Sequence, residues 1–214
     1  MSRPARGRFV VLEGLDGAGT TTQAQRLADA LRARGVEVEL THEPTSGPLG
    51  AVARQAIEGR LALDPVALAL AFAADRADHV ANPVNGIAAH LAAGRWVVSD
   101  RYVLSSLAYN RSDALTREWI AQINAHALAP DLTIFLDVDP ETCLARIAGR
   151  SAADELFHSR ERLVAVDRGY REAIAGGLVR GQLAVVPGAA AVEQVAREVW
   201  EVVAGTLGLP AGAA

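Results

Sequence analysis

The sequence predicts a single α/β domain spanning 1–214, built on a parallel five-stranded sheet with helices on both faces. Three observations carry that reading. Short apolar, β-branched runs alternate with stretches of helical period along the chain, which is the pattern a parallel sheet with crossover helices requires. The first apolar run ends in a glycine-rich loop that opens directly into an amphipathic helix. Half of the 214 residues are hydrophobic, enough to cover a sheet on both sides.

Arg8 to Glu13 is short, apolar and β-branched, and reads as a buried strand. The loop from Gly14 to Gly19 follows. A helix then places Ala24, Leu27, Ala28 and Leu31 on one face and stops near Gly35. Val36 to Leu40 alternates as a second strand, and Ala51 to Glu58 reads as a helix after a Pro/Gly loop. Asp64-Pro65 supplies an N-cap and a proline at the first helical position, opening a long Ala/Leu-rich helix. Asn82-Pro83 interrupts or kinks that helix before Gly94.

Trp96 to Asp100 is a third strand ending on an acid, followed by helices over about 103–109 and 114–128. Leu132 to Val138 reads as the fourth strand, with helices from Glu141 to Ala148 and from Glu155 to Ala175. Leu183 to Val186 is a short fifth strand, and Val192 to Leu207 a final helix.

Composition narrows the function classes. A formal net charge of −4 argues against a nucleic-acid surface, because neutralising phosphates requires a basic face. The longest apolar run, Val66 to Ala74, is far short of the roughly 20 residues of a membrane span. Arg3, Arg6 and Arg8 precede no apolar signal core, and the lone Cys143 has no internal disulfide partner. The expected compartment is the cytoplasm. All 21 basic residues are arginine, so any phosphate must be met by arginine, backbone N–H or a metal ion.

Gly14, Leu15, Asp16, Gly17, Ala18, Gly19, Thr20, Thr21 and Thr22 lie between the first strand and the first helix. Glycines let such a loop turn its N–H groups inward, and the helix N-terminus adds partial positive charge. This is the placement of a Walker A loop, G-x-x-x-x-G-K-[ST], and it predicts a fold of the P-loop NTPase type that binds ATP phosphates. The lysine position holds Thr20, and Thr21 would offer its hydroxyl to Mg²⁺.

The run Val11 to Gly19 resembles the start of bacterial thymidylate kinases. So do Glu43-Pro44, the block Phe72 to Arg76, Asp100-Arg101-Tyr102 and the block Ser105 to Tyr109. These blocks stand in the family's order and spacing over about 14 to 170. The resemblance implies an Mg²⁺-dependent nucleoside monophosphate kinase that transfers a phosphoryl group from ATP to dTMP. It also implies a homodimer and a short lid at about 149–158. Where the phosphate loop has no arginine, as here with Gly17, relatives carry catalytic arginines in the lid. Arg150 fits that role and Arg146 that of a phosphate ligand nearby. For Arg160 and Arg162 a solvated helix face is the better reading.

Other roles follow from the resemblance residue by residue. Asp100 holds the metal through water, and Arg101 clamps the acceptor phosphate. Phe72 stacks on thymine, and Arg76, one helical turn on, bonds its O4 carbonyl. Ser105 and Ser106 reach the base or the acceptor phosphate, or simply start a helix. Tyr109 blocks a ribose 2′-OH, Asp16 bonds the sugar 3′-OH, and Glu43 lies near acceptor and metal. His42 stands where the family usually has arginine. Two other readings share the fold: a nucleotide-binding protein weakened in catalysis by loss of the lysine, and a kinase for another nucleoside or nucleotide.

Overall fold

The computed structural model describes residues 6–109, 115–148 and 160–209. The expected lid at about 149–158, Arg150 within it, lies outside the described residues. The chain runs β1 (Phe9–Gly14), α1 (Thr20–Arg32), β2 (Val38–His42), α2 (Pro48–Ile57), α3 (Pro65–Ala81), α4 (Ile87–Ala92) and β3 (Trp96–Asp100). It continues through α5 (Val103–Tyr109), α6 (Arg117–Ile123), β4 (Leu132–Asp137), α7 (Pro140–Ala148), α8 (Arg160–Ala175), β5 (Gln182–Pro187) and α9 (Val192–Leu207).

The five strands form one parallel sheet in the order β2-β3-β1-β4-β5. Alternation along β1 sends its side chains to two cores. Val10 and Leu12 join a large cluster with Leu27 and Leu31 of α1, Leu107 of α5, Tyr170 of α8 and Val199 of α9. Phe9 and Val11 face a smaller cluster with Val80 of α3 and Ile87 and Leu91 of α4. Both faces of the sheet are therefore covered, as its near-continuous apolar strands demand. Consecutive strands depart to opposite sides of β1, and that switch opens a crevice beyond the carboxyl ends of β1 and β3.

Several element boundaries differ from the sequence reading, four of them for a visible physical reason. The second strand begins at Val38 because Gly35 turns the chain at φ 77° and the Val36 N–H returns to the Leu31 carbonyl, closing α1. Helix α2 starts three residues early, on Pro48 behind Gly47. The Ala/Leu helix stops at Ala81, and Gly86 N–H bonds Asn82 O at 2.9 Å before the chain restarts as α4. Helix α6 ends at Ile123 rather than near 128, because the Asn124 side chain turns inward to Arg76 and to the Ile120 carbonyl. Asp64 caps α3 as expected, accepting from Val66 N–H at 2.8 Å. Among the described residues no helix is long and apolar enough to cross a membrane.

Candidate functional site

The crevice is floored by the loop between β1 and α1. Gly19, at φ 97°, caps α1 in a conformation that costs any other residue about 1–2 kcal/mol. Gly17, at φ 86°, has a second constraint: a Cβ there would lie 2.6 Å from the Cys143 carbonyl oxygen on α7. No side chain fits at that point without displacing α7, so the loop cannot carry the arginine that it lacks. Thr20, in the lysine position, is buried, and its methyl carbon packs under the loop, where it would meet a Cβ on Gly14 at 3.2 Å. Thr21 and Thr22 are exposed on the first turn of α1.

Arg146 reaches the loop from α7. Its Nη1 donates to the Gly17 and Ala18 carbonyls at 3.5 and 3.4 Å, and its Nη2 to the Gly188 and Ala189 carbonyls at 3.0 Å each. The guanidinium thus ties the carbonyl side of the loop to the segment after β5.

Strand β3 delivers Asp100 and Arg101 to the same place. The Thr21 hydroxyl donates to Asp100 Oδ2, while Asp100 Oδ1 is buried with no hydrogen-bond partner among the described residues. A bare carboxylate oxygen beside a hydroxyl suits a hard cation that keeps most of its waters and takes one or two protein oxygens. These residues fit Mg²⁺. No cluster of three or more His, Cys, Asp or Glu side chains that could hold a metal occurs among the described residues.

Arg101 sits at φ 71°, a left-handed conformation that persists only where its surroundings over-determine it. Its Nη2 pairs with Asp16 Oδ1 at 2.5 Å, and its Nη1 lies 3.2 Å from the Gly14 carbonyl. The guanidinium also stands over the Tyr109 ring, 5.2 Å from its centroid. The Tyr109 hydroxyl accepts the Asp16 N–H at 3.2 Å, and burial raises the phenol's pKa well above its usual value. Asp16, Arg101 and Tyr109 are therefore brought together at the loop.

Beneath them lies a knot the sequence reading missed. Glu13, fully buried at the end of β1, accepts from Tyr102 N–H (2.9 Å), Ser105 N–H (3.1 Å), the Ser105 hydroxyl (2.5 Å) and the Tyr170 hydroxyl (3.2 Å). Burial raises its carboxyl pKa, opposed by the Ser105 hydrogen bonds and the charge of Arg101. Tyr170 comes from α8, and its one hydroxyl proton is shared between Glu13 and the Gly14 carbonyl, 3.0 Å away. Gly169 allows that approach, since a Cβ there would meet the Ala108 carbonyl at 2.6 Å. An acid closing an apolar strand, and a Gly-Tyr pair in an amphipathic helix, were the available signals. Ser105 belongs to this knot; Ser106 is buried one residue on.

A second buried cluster walls the crevice on the β2 side. Glu43 accepts from Arg76 Nε at 2.8 Å through Oε2 and meets His79 Nδ1 at 3.0 Å through Oε1. The Arg76 side chain, 3% exposed, also donates to Asn124 Oδ1 and to the Tyr102 carbonyl at 3.1 Å. His79 and Asn124 were not anticipated as partners; both are fixed by pairings more than 30 residues apart in sequence. Phe72 is half-buried and belongs to neither hydrophobic cluster. His42, the neighbour of Glu43, is exposed.

The family model described as thymidylate kinase matches residues 12–199. The chain is 41% identical over 171 residues to a probable thymidylate kinase of Pyrococcus horikoshii, covering 78% of this chain and 80% of that protein. It is 40% identical over 166 residues to a probable thymidylate kinase of Thermococcus kodakarensis, covering 72% and 80%. Against a thymidylate kinase of Xanthomonas oryzae pv. oryzae it is 42% identical over 158 residues, covering 73% and 67%. A match that begins inside the first strand and ends in the last helix takes in the sheet, the loop between β1 and α1 and the crevice above it, and the chain belongs to the thymidylate kinase family.

Proposed function

We propose that the chain transfers the terminal phosphoryl group of ATP to thymidine monophosphate, giving ADP and thymidine diphosphate. Such transfer asks for in-line oxygens, neutralised charge and exclusion of water, with little covalent work from the protein. The observation that carries the reading is the Arg101–Asp16 pair at the mouth of the phosphate loop. One cation and one acid there suit an acceptor phosphate and a sugar hydroxyl of a single nucleotide.

The N–H groups of Gly17 and of Gly19 to Thr22 hold the ATP phosphates, those of Asp16 and Ala18 being bonded to the Tyr109 hydroxyl and the Leu15 carbonyl, and Arg146 keeps the loop in shape from its carbonyl side. Thr21 and Asp100 would hold Mg²⁺, which when bound would supply charge neutralisation for the transfer. Phe72 stacks on the base. Arg76 is the donor for the thymine O4, its guanidinium held by Glu43 through Nε and Nη2, by Asn124 and by the Tyr102 carbonyl. Tyr109 closes the space beside the sugar C2′. Arg150 of the lid brings to the transferring phosphoryl group the charge that Thr20 cannot supply.

We also propose a homodimer. Leu49 and Val52 of α2, Leu61 of the segment that follows it and Leu70 of α3 are all 36–46% exposed, and the two helices pack side by side. Covering adjacent exposed leucines is what a helical interface does. Leu70→Glu should halve the mass seen by light scattering.

A coupled ADP-release assay tests the reaction. Turnover with thymidine monophosphate and Mg·ATP supports it. Turnover only with another nucleotide moves the acceptor, and tight binding of both nucleotides without turnover replaces the kinase with a nucleotide-binding protein.

A further inference from the structure

We propose that Glu13 is a positioning residue: its carboxylate fixes the spacing between the phosphate loop and Arg101 by tethering the backbone on the far side of Arg101. The inference rests on the reading of Arg101 as the acceptor-phosphate clamp.

Arg101 occupies a left-handed conformation that a non-glycine residue does not hold unaided. Four hydrogen bonds bracket it. Its own N–H bonds the Leu12 carbonyl at 2.8 Å, and the Ser99 hydroxyl bonds its carbonyl at 2.8 Å. On the far side, Glu13 Oε1 takes both the Tyr102 and Ser105 N–H groups, the start of α5. Glu13 directly precedes Gly14, whose carbonyl faces Arg101 Nη1. The strand that begins the donor loop therefore also grips the turn that aims the acceptor arginine. The two carboxylate oxygens have different partners. Oε1 holds backbone N–H groups, whereas Oε2 meets the hydroxyls of Ser105 and Tyr170. A glutamine whose amide oxygen sits at Oε1 keeps the backbone tethers and can donate to the two hydroxyls from its nitrogen.

The test compares the parent with Glu13→Ala, Glu13→Gln and Arg101→Ala. It measures KM for thymidine monophosphate, KM for ATP, kcat and Tm. Glu13→Ala should raise the acceptor KM about tenfold or more with the ATP KM within about twofold, because a misaimed clamp loses acceptor binding alone. Glu13→Gln should recover most of that loss. A lowered Tm with both KM values unchanged in Glu13→Ala overturns the inference, since the acid is then merely structural. Glu13→Gln as impaired as Glu13→Ala also overturns it, because charge rather than the tether is then at issue. Should Arg101→Ala leave the acceptor KM unchanged, the reading of the clamp fails and the inference falls with it; unchanged values in Glu13→Ala alone sink only the inference. If Glu13→Ala is insoluble, Ser99→Ala releases the other tether, and an acceptor KM within about twofold of the parent decides against the proposal.

Discussion

The Thr21 hydroxyl donates to Asp100 Oδ2, leaving Asp100 Oδ1 buried and without a hydrogen-bond partner among the described residues. The pair joins the phosphate loop to the end of the neighbouring strand. An anionic oxygen kept bare at that junction suits a cation and little else. Asp100→Asn should lower kcat about a hundredfold and shift the Mg²⁺ dependence of turnover to higher concentration, read from magnesium titrations of the steady-state rate. An unchanged titration curve would remove Asp100 from the metal site.

On the function proposed above, the charge that Thr20 cannot supply comes from Arg150. Arg150→Ala should cut kcat by about a hundredfold or more, whereas Thr20→Ala should change it far less. Steady-state kinetics of the two variants side by side decide the matter, and mild, equal effects argue against a lid cation.

Glu13 also predicts a pH dependence of stability. Its folded pKa lies above the ordinary 4.5, mainly through burial, so the folded state holds the proton more tightly than the unfolded chain. Stability contributed by the protonated form is fully present below the unfolded value and is lost as pH rises through the folded one. Glutamine does not titrate. The Tm of the parent minus that of Glu13→Gln should therefore be largest in mild acid and decline towards neutral pH, as differential scanning fluorimetry across that range would register.

Cys143 is a free, fully buried thiol, and burial pushes its pKa up to about 12. The thiolate is the reactive form, so the native protein should consume almost no aromatic disulfide reagent at mildly alkaline pH. One equivalent should react after denaturation. Rapid reaction of the folded protein would show that α7 opens readily from the loop.

The sheet was legible because its strands are apolar and β-branched on both faces, as in Val10-Val11-Leu12 and Trp96-Val97-Val98, and such runs have few alternatives. The phosphate loop announced itself by spacing. Boundaries failed where a side chain far away in sequence intervened: Asn124 ends α6 because Arg76 draws it inward, and no local pattern encodes that. Within the site, Asp16, Arg101 and Tyr109 were visible as members of short motifs. Glu13 and Tyr170, 157 residues apart, were hidden, because an acid at a strand end and a tyrosine on a buried helix face look ordinary until the fold brings them together. The Glu43–Arg76 ion pair was hidden in another way: both residues stand out in the sequence, but for separate roles.

The contact between Gly17 and the Cys143 backbone bears on how this lineage can change. Moving the cation proposed for the lid into the loop would require an arginine at a site where even a methyl group strikes the neighbouring helix. A substitution at Gly17 alone does not cross that gap; α7 would first have to retreat. The two arrangements are separate peaks, and a chain that has packed its loop this tightly has given up the path to the other.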